Sequence, residues 1–235
     1  YLTSSDKWGD VEKLIDSNIL FLSKLLNTVS KSNLDLFINT GTFAEYFKGD
    51  DDFNPAYFYA ATKTASRSIL NYYANAYNFK QSTVVPYTIY GGNDSSKKII
   101  DLIFESTKTK KKLELSAGQQ VLDFIHIDDV VSFYLHLIKH KKKIPNKTNF
   151  KLGTWIGHNL QQVSSIIESV TNKKTNINWG GKEYRQSDVM YAVANLDEIK
   201  DKLKWKPKIS ITEGIRKTIN NRILWILFLV EEFQG

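Results

Sequence analysis

Short β-branched runs alternate with helical periods along nearly the whole chain, and few folds accommodate that alternation. Val11, Leu14, Ile15, Asn18, Leu22, Leu25, Leu26 and Val29 recur at steps of three and four, so they share one helix face, with Asp10 placed to cap it. The run Leu-Asp-Leu-Phe-Ile-Asn-Thr over 34–40 reads as a buried strand ended by Gly41. A polar turn over 50–55 precedes a helix over 56–77, a strand over 81–85 and the turn cluster Tyr90-Gly91-Gly92-Asn93-Asp94. A helix over 99–105 follows, then a strand over 122–127 and a helix over 130–138 that Asp128 and Asp129 are placed to cap. Beyond a basic linker to Lys147 the pattern gives strands over 150–152 and 176–179 and helices over 160–170, 196–203 and 212–219. Strands trailed by helices of this size predict an α/β domain with a mainly parallel sheet and no internal repeat.

Composition narrows the chemistry. Of 235 residues, 30 are aromatic, enough to build a sizeable core. The absence of Cys excludes disulfides, a thiolate nucleophile and Cys-ligated metal, and four His without paired spacing argue against a zinc site. No apolar run reaches the ~18 residues that a membrane span needs. The first seven residues lack a signal-peptide pattern, so a cytoplasmic protein is expected. The net charge is +7, yet 28 of the 32 basic residues are Lys, whereas nucleic-acid readout leans on Arg. No nucleic-acid partner is expected, and the lysines within 108–112 and 139–143 read as solvated loops or helix ends. The apolar block over 223–230 is too short to span a bilayer; docking on the domain or a partner, and a truncated or shifted reading frame, both remain open.

Tyr59 and Lys63 stand four residues apart on one helix face. A cation beside a phenol favours the phenolate, which would bring Tyr59 into range as an acid or base, and Lys63 could also donate to ribose hydroxyls. Asn39-Thr40-Gly41-Thr42 closes the first strand and places hydroxyls at its carboxyl end, the edge where open α/β sheets bind ligands. Thr42 could donate to a substrate oxygen while Tyr59 moves the proton. Asn18 puts an amide on an apolar stripe, where it needs a partner.

Several segments, in order, resemble the extended short-chain dehydrogenase/reductase family, the NAD-dependent epimerases and dehydratases of nucleotide-activated sugars. Phe37-Ile-Asn-Thr-Gly-Thr42 and Tyr57-Phe-Tyr-Ala-Ala-Thr-Lys63 carry the resemblance first. Tyr87-Thr-Ile-Tyr-Gly-Gly-Asn-Asp94 is similar to the loop after the next strand, and Leu122-Asp-Phe-Ile-His-Ile-Asp-Asp-Val130 to the "RDF" segment. Trp179-Gly180, Tyr184-Arg185, Trp205-Lys-Pro-Lys-Ile-Ser210 and Glu213-Gly-Ile215 resemble the substrate lobe and closing helix. Together these cover roughly residues 11–219.

The resemblance implies a Rossmann-type doubly wound parallel sheet lacking its first strands, with a small C-terminal substrate lobe. Residues 1–147 would form the remainder of the dinucleotide-binding domain, 148–219 mostly the sugar-nucleotide lobe, and 220–235 an atypical apolar tail. It implies NAD or NADP as cofactor, a nucleotide-sugar substrate, no membrane partner and a homodimer when full length. Thr42, Tyr59, Lys63 and Asn18 match the catalytic set. Tyr59, Lys63, Thr40 and Pro86 match cofactor contacts, and Thr42, Thr88 and Arg185 match substrate contacts, Arg185 on the diphosphate. No metal is implied. The nearest flavour is the reductases and dehydratases that build deoxysugars on CDP, dTDP or GDP carriers for surface polysaccharides.

Two departures stand out. The glycine-rich turn G-x-x-G-x-x-G, which brings backbone N–H groups to the cofactor pyrophosphate, occurs nowhere in the chain. Tyr1 is expected to fall near the end of the fourth strand, leaving an uncovered sheet edge. Leu122 stands where many members place an Arg on the substrate diphosphate. Phe43 and Ala44 replace the Asp-Glu that dehydratases carry after the catalytic Thr, so reductase or epimerase is expected. The alternative is an inactive binding or assembly subunit that needs a second chain for the cofactor half.

Overall fold

The computed structural model describes residues 5–47, 52–92 and 97–232, without the side chains of 222–232. Asp50, Asn93 and Asp94 of the expected turns therefore lie outside the described residues, as do the side chains of the apolar block over 223–230. In chain order the elements are α1 (Trp8–Ile15), a π-helical turn (Asp16–Leu20), α2 (Phe21–Val29), β1 (Leu36–Thr40), a 3-10 turn (Phe43–Glu45), α3 (Phe58–Ala76), β2 (Lys80–Pro86) and β3 (Thr88–Tyr90). Then come α4 (Ile99–Ser106), β4 (Leu113–Leu115), β5 (Val121–His126), α5 (Ile127–Lys139) and β6 (Thr148–Leu152). The chain continues through β7 (Gly157–Asn159), α6 (Leu160–Thr171), β8 (Ile177–Trp179), β9 (Tyr191–Ala192), α7 (Asp197–Leu203) and α8 (Ile211–Glu232).

The expected parallel sheet forms in the order β1-β2-β6, with Thr40, Val84 and Phe150 abreast. All carboxyl ends of this sheet therefore face one way, which gathers the loops after β1 and β2 at one edge. A second sheet runs β3-β5-β7, with β9 also on β5; the β5–β7 pairing is antiparallel. A third, two-stranded sheet joins β4 and β8 in parallel. Three apolar cores result. Val84, Val85 and Phe150 of the first sheet pack with Phe133, Leu137 and Trp205. Phe124 packs with Ile103, Val163, Ile167 and Ile215, and Leu26 of α2 with Leu70 and Ala74 of α3.

Three details differ from the expectations. The helix over 11–29 contains a π turn, and its N-cap is Lys7; Asp10 sits in the first turn instead. The last helix runs on from Ile211 to Glu232 rather than ending at 219. His126, not Asp128 or Asp129, caps α5, its Nδ1 accepting the Asp128 N–H at 3.2 Å. Asp129 accepts instead from the N–H groups of Lys208 and Ile209, tying α5 to the segment before α8, and Asp128 pairs with Lys217.

Capping fixes the His126 tautomer. Nδ1 is the acceptor, so Nε2 carries the proton, and Nε2 is buried with no partner among the described residues. Asp128 Oδ2 lies 3.7 Å from Nδ1, but burial outweighs this attraction and holds the imidazole below its ordinary value. Gly91, at φ +94°, leaves no room there, since a Cβ would stand 2.5 Å from Nε2. The unfolded chain thus takes up a proton near pH 6.5 that the folded chain refuses until lower pH, so stability falls as pH drops through that window. Urea unfolding midpoints are expected to fall between about pH 7 and 5.5, and to fall less in His126→Asn, which keeps a capping side chain. Equal slopes in the two proteins would contradict this.

Candidate active site

The loop after β1 and the first turns of α3 bring the matched residues to the carboxyl edge of the parallel sheet. Thr42 caps the 3-10 turn. Its Oγ1 accepts from the Ala44 N–H at 3.4 Å, which leaves its own O–H to donate. Its backbone N–H donates to Glu45 Oε1 at 2.8 Å, completing a capping box. Thr42 is buried, 9% exposed.

Lys63 reaches from α3 to the end of β1 and donates from Nζ to the Thr40 carbonyl at 3.2 Å. The same Nζ lies 5.8 Å from the Tyr59 ring centroid. Both residues are half-buried, and burial lowers the Lys63 ammonium from its ordinary value. The Tyr59 phenol is pushed up to about 12, by burial first and then by Tyr57 and the Glu45 carboxylate. This reverses the expectation that Lys63 would make the phenol acidic: loss of solvation outweighs a cation engaged with a backbone carbonyl. Tyr59 in this site is therefore a protonated phenol at neutral pH. Tyr57 stacks on it at 6.2 Å between centroids.

Asn18 occupies the middle of the π turn, and its amide donates to Thr62 Oγ1 at 3.0 Å. Thr62 in turn donates to the Tyr59 carbonyl at 2.7 Å. The bulge thus aims an amide at the first turn of α3 through one hydroxyl, and the polar residue on the apolar stripe is satisfied. Thr40 is exposed and its hydroxyl lies 2.7 Å from that of Tyr134; Pro86 is buried at the end of β2.

A cleft of about 230 Å³ opens beside this edge, lined by Phe43, Tyr57, Gln120, Leu122, Arg185 and Asp188 among others. Arg185 is exposed, and its backbone N–H donates to Asp188 Oδ2 at 2.9 Å, so one tight turn presents both side chains. Leu122 forms apolar wall where many family members have a cation. Among the described residues, Gln120 Oε1, which lines the cleft, and Thr88 Oγ1, at the start of β3, are buried without a hydrogen-bond partner. Among the described residues no group of three or more His, Cys, Asp and Glu could hold a metal.

Two residues with a part in this geometry escaped the sequence reasoning. Glu45 is fully buried, and its carboxylate takes Arg67 Nε at 2.6 Å and Nη2 at 3.0 Å. The capping-box spacing of Thr42 to Glu45, and the four-residue step from Lys63 to Arg67, were the signals available.

The parallel sheet with its chemistry gathered at one carboxyl edge defines a Rossmann-type nucleotide-linked enzyme fold. The profile of the NAD dependent epimerase/dehydratase family matches residues 3–153, and the chain belongs to that enzyme family. CDP-abequose synthase of Salmonella typhimurium (strain LT2) is 28% identical over 216 residues, which cover 91% of this chain and 71% of that protein. UDP-glucuronate 4-epimerase of Thermodesulfobacterium geofontis is 26% identical over 218 residues, 88% of this chain and 65% of that one. Among solved structures, UDP-glucuronic acid 4-epimerase from Bacillus cereus, in complex with UDP-glucuronic acid and NAD, superposes with a TM-score of 0.85. Its identity is 18%, with 94% of this chain and 71% of that chain covered. MoeE5, in complex with UDP-glucuronic acid and NAD, gives 0.83 at 18% identity, covering 93% of this chain and 75% of that one.

Proposed function

We propose that this protein reduces a keto group on a nucleotide-activated sugar with a reduced nicotinamide cofactor, as a 4-keto reductase in preference to a 4-epimerase. The observation that carries the reading is geometric: a phenol one helical turn from a lysine tied to the end of β1, at the sheet edge where the Thr42 turn also stands. The Tyr59 phenol can deliver a proton to a carbonyl oxygen as a hydride arrives at its carbon. A dehydratase is disfavoured because Phe43 and Ala44 carry no proton-moving group, and the nearby Glu45 carboxylate is buried against Arg67. Similarity to CDP-abequose synthases favours a CDP-linked deoxysugar over a UDP-hexose.

The residues present suit the nicotinamide end of such a cofactor. Lys63 has three donors, and Thr40 is its one acceptor at hydrogen-bond distance among the described residues, which leaves donors for ribose hydroxyls. Thr40 and Pro86 would border that group. The nicotinamide, when bound, supplies the hydride. Tyr59 gives its proton to the sugar oxygen, Thr42 polarises that oxygen with its O–H, and Asn18 holds the first turn of α3 through Thr62. Arg185 would clamp the diphosphate and Thr88 would meet the sugar. Exposed Trp8, Phe21 and Tyr72 on α1, α2 and α3 offer apolar surface for a homodimer. The test is a panel of nucleotide-4-ketosugars with NADH or NADPH, offered to a version of the chain that carries the glycine turn. Cofactor consumption with one ketosugar supports the reading; conversion of a nucleotide-hexose to its 4-epimer, offered with NAD+ in a parallel panel and with no net cofactor change, points to the epimerase; absence of both conversions overturns both.

A second reading is an inactive sugar-nucleotide-binding or assembly subunit that takes the cofactor half from a second chain; no glycine-rich phosphate turn occurs in these 235 residues. Without those backbone N–H groups the pyrophosphate loses its anchor. This polypeptide alone is expected to bind NADH with a Kd above roughly 1 mM in a fluorescence titration. Tight, saturable binding would refute that expectation.

A further inference from the structure

We propose that Glu45 and Arg67 are a pair of positioning residues that couple the Thr42 turn to α3, the helix carrying Tyr59 and Lys63. The inference rests on the reading of Thr42 and Tyr59 as the reacting pair. Neither Glu45 nor Arg67 lines the cleft, and the Glu45 side chain has no exposed surface at all. A buried carboxylate survives only when its lone pairs are taken, and here every taker belongs to the site's framework. Oε1 accepts the Thr42 N–H at 2.8 Å and Arg67 Nη2 at 3.0 Å. Oε2 accepts Arg67 Nε at 2.6 Å and the Thr64 hydroxyl at 3.3 Å. Arg67 is itself held from behind, donating through Nη1 to Asn149 Oδ1 at 2.8 Å on β6, with its guanidinium 5.1 Å from the Phe53 ring centroid. One carboxylate thus bolts the loop after β1 to the helix after it, and the guanidinium fork bolts that helix to a third strand.

The space around the bolt is tight. A Cβ on Gly41 would stand 2.5 Å from Glu45 Oε1 and 2.7 Å from Arg67 Nη2. The charge of Glu45 also reaches the reacting groups. The ionisable groups around the Tyr59 phenol are Tyr57 before α3, Lys63 on α3, and Glu45 on the facing turn with Arg67 behind it. Glu45 opposes loss of the Tyr59 proton and supports the charge on Lys63. The pair therefore fixes where Thr42 stands and favours the state in which Tyr59 waits as a proton donor.

Two measurements on the chain as it stands test this, and neither needs nucleotide or sugar. Ionisation of Tyr59 is followed by tyrosinate absorbance, as the difference between each protein and its Tyr59→Phe counterpart, from about pH 9 to 12.5, a range that spans the parent phenol's own titration. Glu45→Gln is expected to shift Tyr59 ionisation to lower pH, and Arg67→Lys, which keeps the charge, to leave it nearly in place. Hydrogen exchange at the Thr42 amide is expected to quicken at least about tenfold in Glu45→Ala and to stay near the parent rate in Arg67→Lys. A folded Glu45→Gln with unmoved Tyr59 ionisation overturns the inference, as does a folded Glu45→Ala with Thr42 still protected. Should Glu45→Ala fail to fold, the Gln variant decides. Failure of the ketosugar panel, with these shifts present, would remove the functional reading and leave the coupling standing.

Discussion

Tyr59→Phe is expected to lower ketosugar turnover by about 10²-fold or more, with little change in substrate KM. The substitution removes one oxygen from a half-buried ring that stacks on Tyr57, so packing is nearly conserved and the loss reports on the proton. The carbonyl oxygen would then have to take its proton from water, against the low-dielectric cost of the developing charge. Lys63→Met is the useful companion, since it removes the ammonium that reaches the Thr40 carbonyl and should raise the KM for cofactor together with lowering kcat. Activity within a few-fold of the parent in Tyr59→Phe, measured by cofactor absorbance in a chain carrying the glycine turn, would take the phenol out of the mechanism.

The second large effect is on stability. Asp123→Ala is expected to cost about 3 kcal/mol or more. The Asp123 carboxylate is fully buried and accepts from the Thr154 N–H at 2.8 Å, its hydroxyl at 2.6 Å, the Trp155 N–H at 2.9 Å and the Ala194 N–H at 3.2 Å. These bonds knit the β5 strand to the loop after β6 and to the stretch after β9. They also hold Trp155 at φ +68°, a backbone state that an L-residue keeps only when its surroundings insist. Removing the acceptor takes the partner from one buried backbone N–H, that of Ala194, and from the half-buried N–H groups of Thr154 and Trp155, and releases that strain in one step. Gly153 is packed closely on the carboxylate, with a would-be Cβ 2.3 Å from Oδ2. Thermal unfolding should show the midpoint fall by about 6–12 °C for a chain of this size. A fall of about 2 °C or less would mean that water satisfies those donors and that the node contributes little.

Much of the frame was legible because it is written in local period. The strand over 34–40, the helix over 56–77 and the strand over 81–85 emerged within two residues as Leu36–Thr40, Phe58–Ala76 and Lys80–Pro86. Once β1 and α3 are placed, Thr42, Tyr59 and Lys63 must gather at one edge, since the sheet is parallel. The strands that escaped, β3, β4, β7 and β9, are two or three residues long and exist by virtue of distant partners, Phe124 for Thr88 or Ile177 for Leu113. No window of sequence contains both halves of such a pairing. The electrostatics of the site were misjudged for a related reason. The i, i+4 spacing revealed that Lys63 neighbours Tyr59, but not that its ammonium would turn to the Thr40 carbonyl or that the phenol would lose so much water. His126 as the cap of α5 was hidden because the two aspartates beside it are stronger cap formers, and tertiary demands from Lys208, Ile209 and Lys217 claimed both.

Strand β1 is bonded to β2 on one flank, and among the described residues no strand lies along its other flank. A parallel segment settling there would end beside Thr40, where Lys63 holds its donors. Extending the backbone ladder along Leu36–Thr40 and walling the space beside Lys63 would then be one cooperative event.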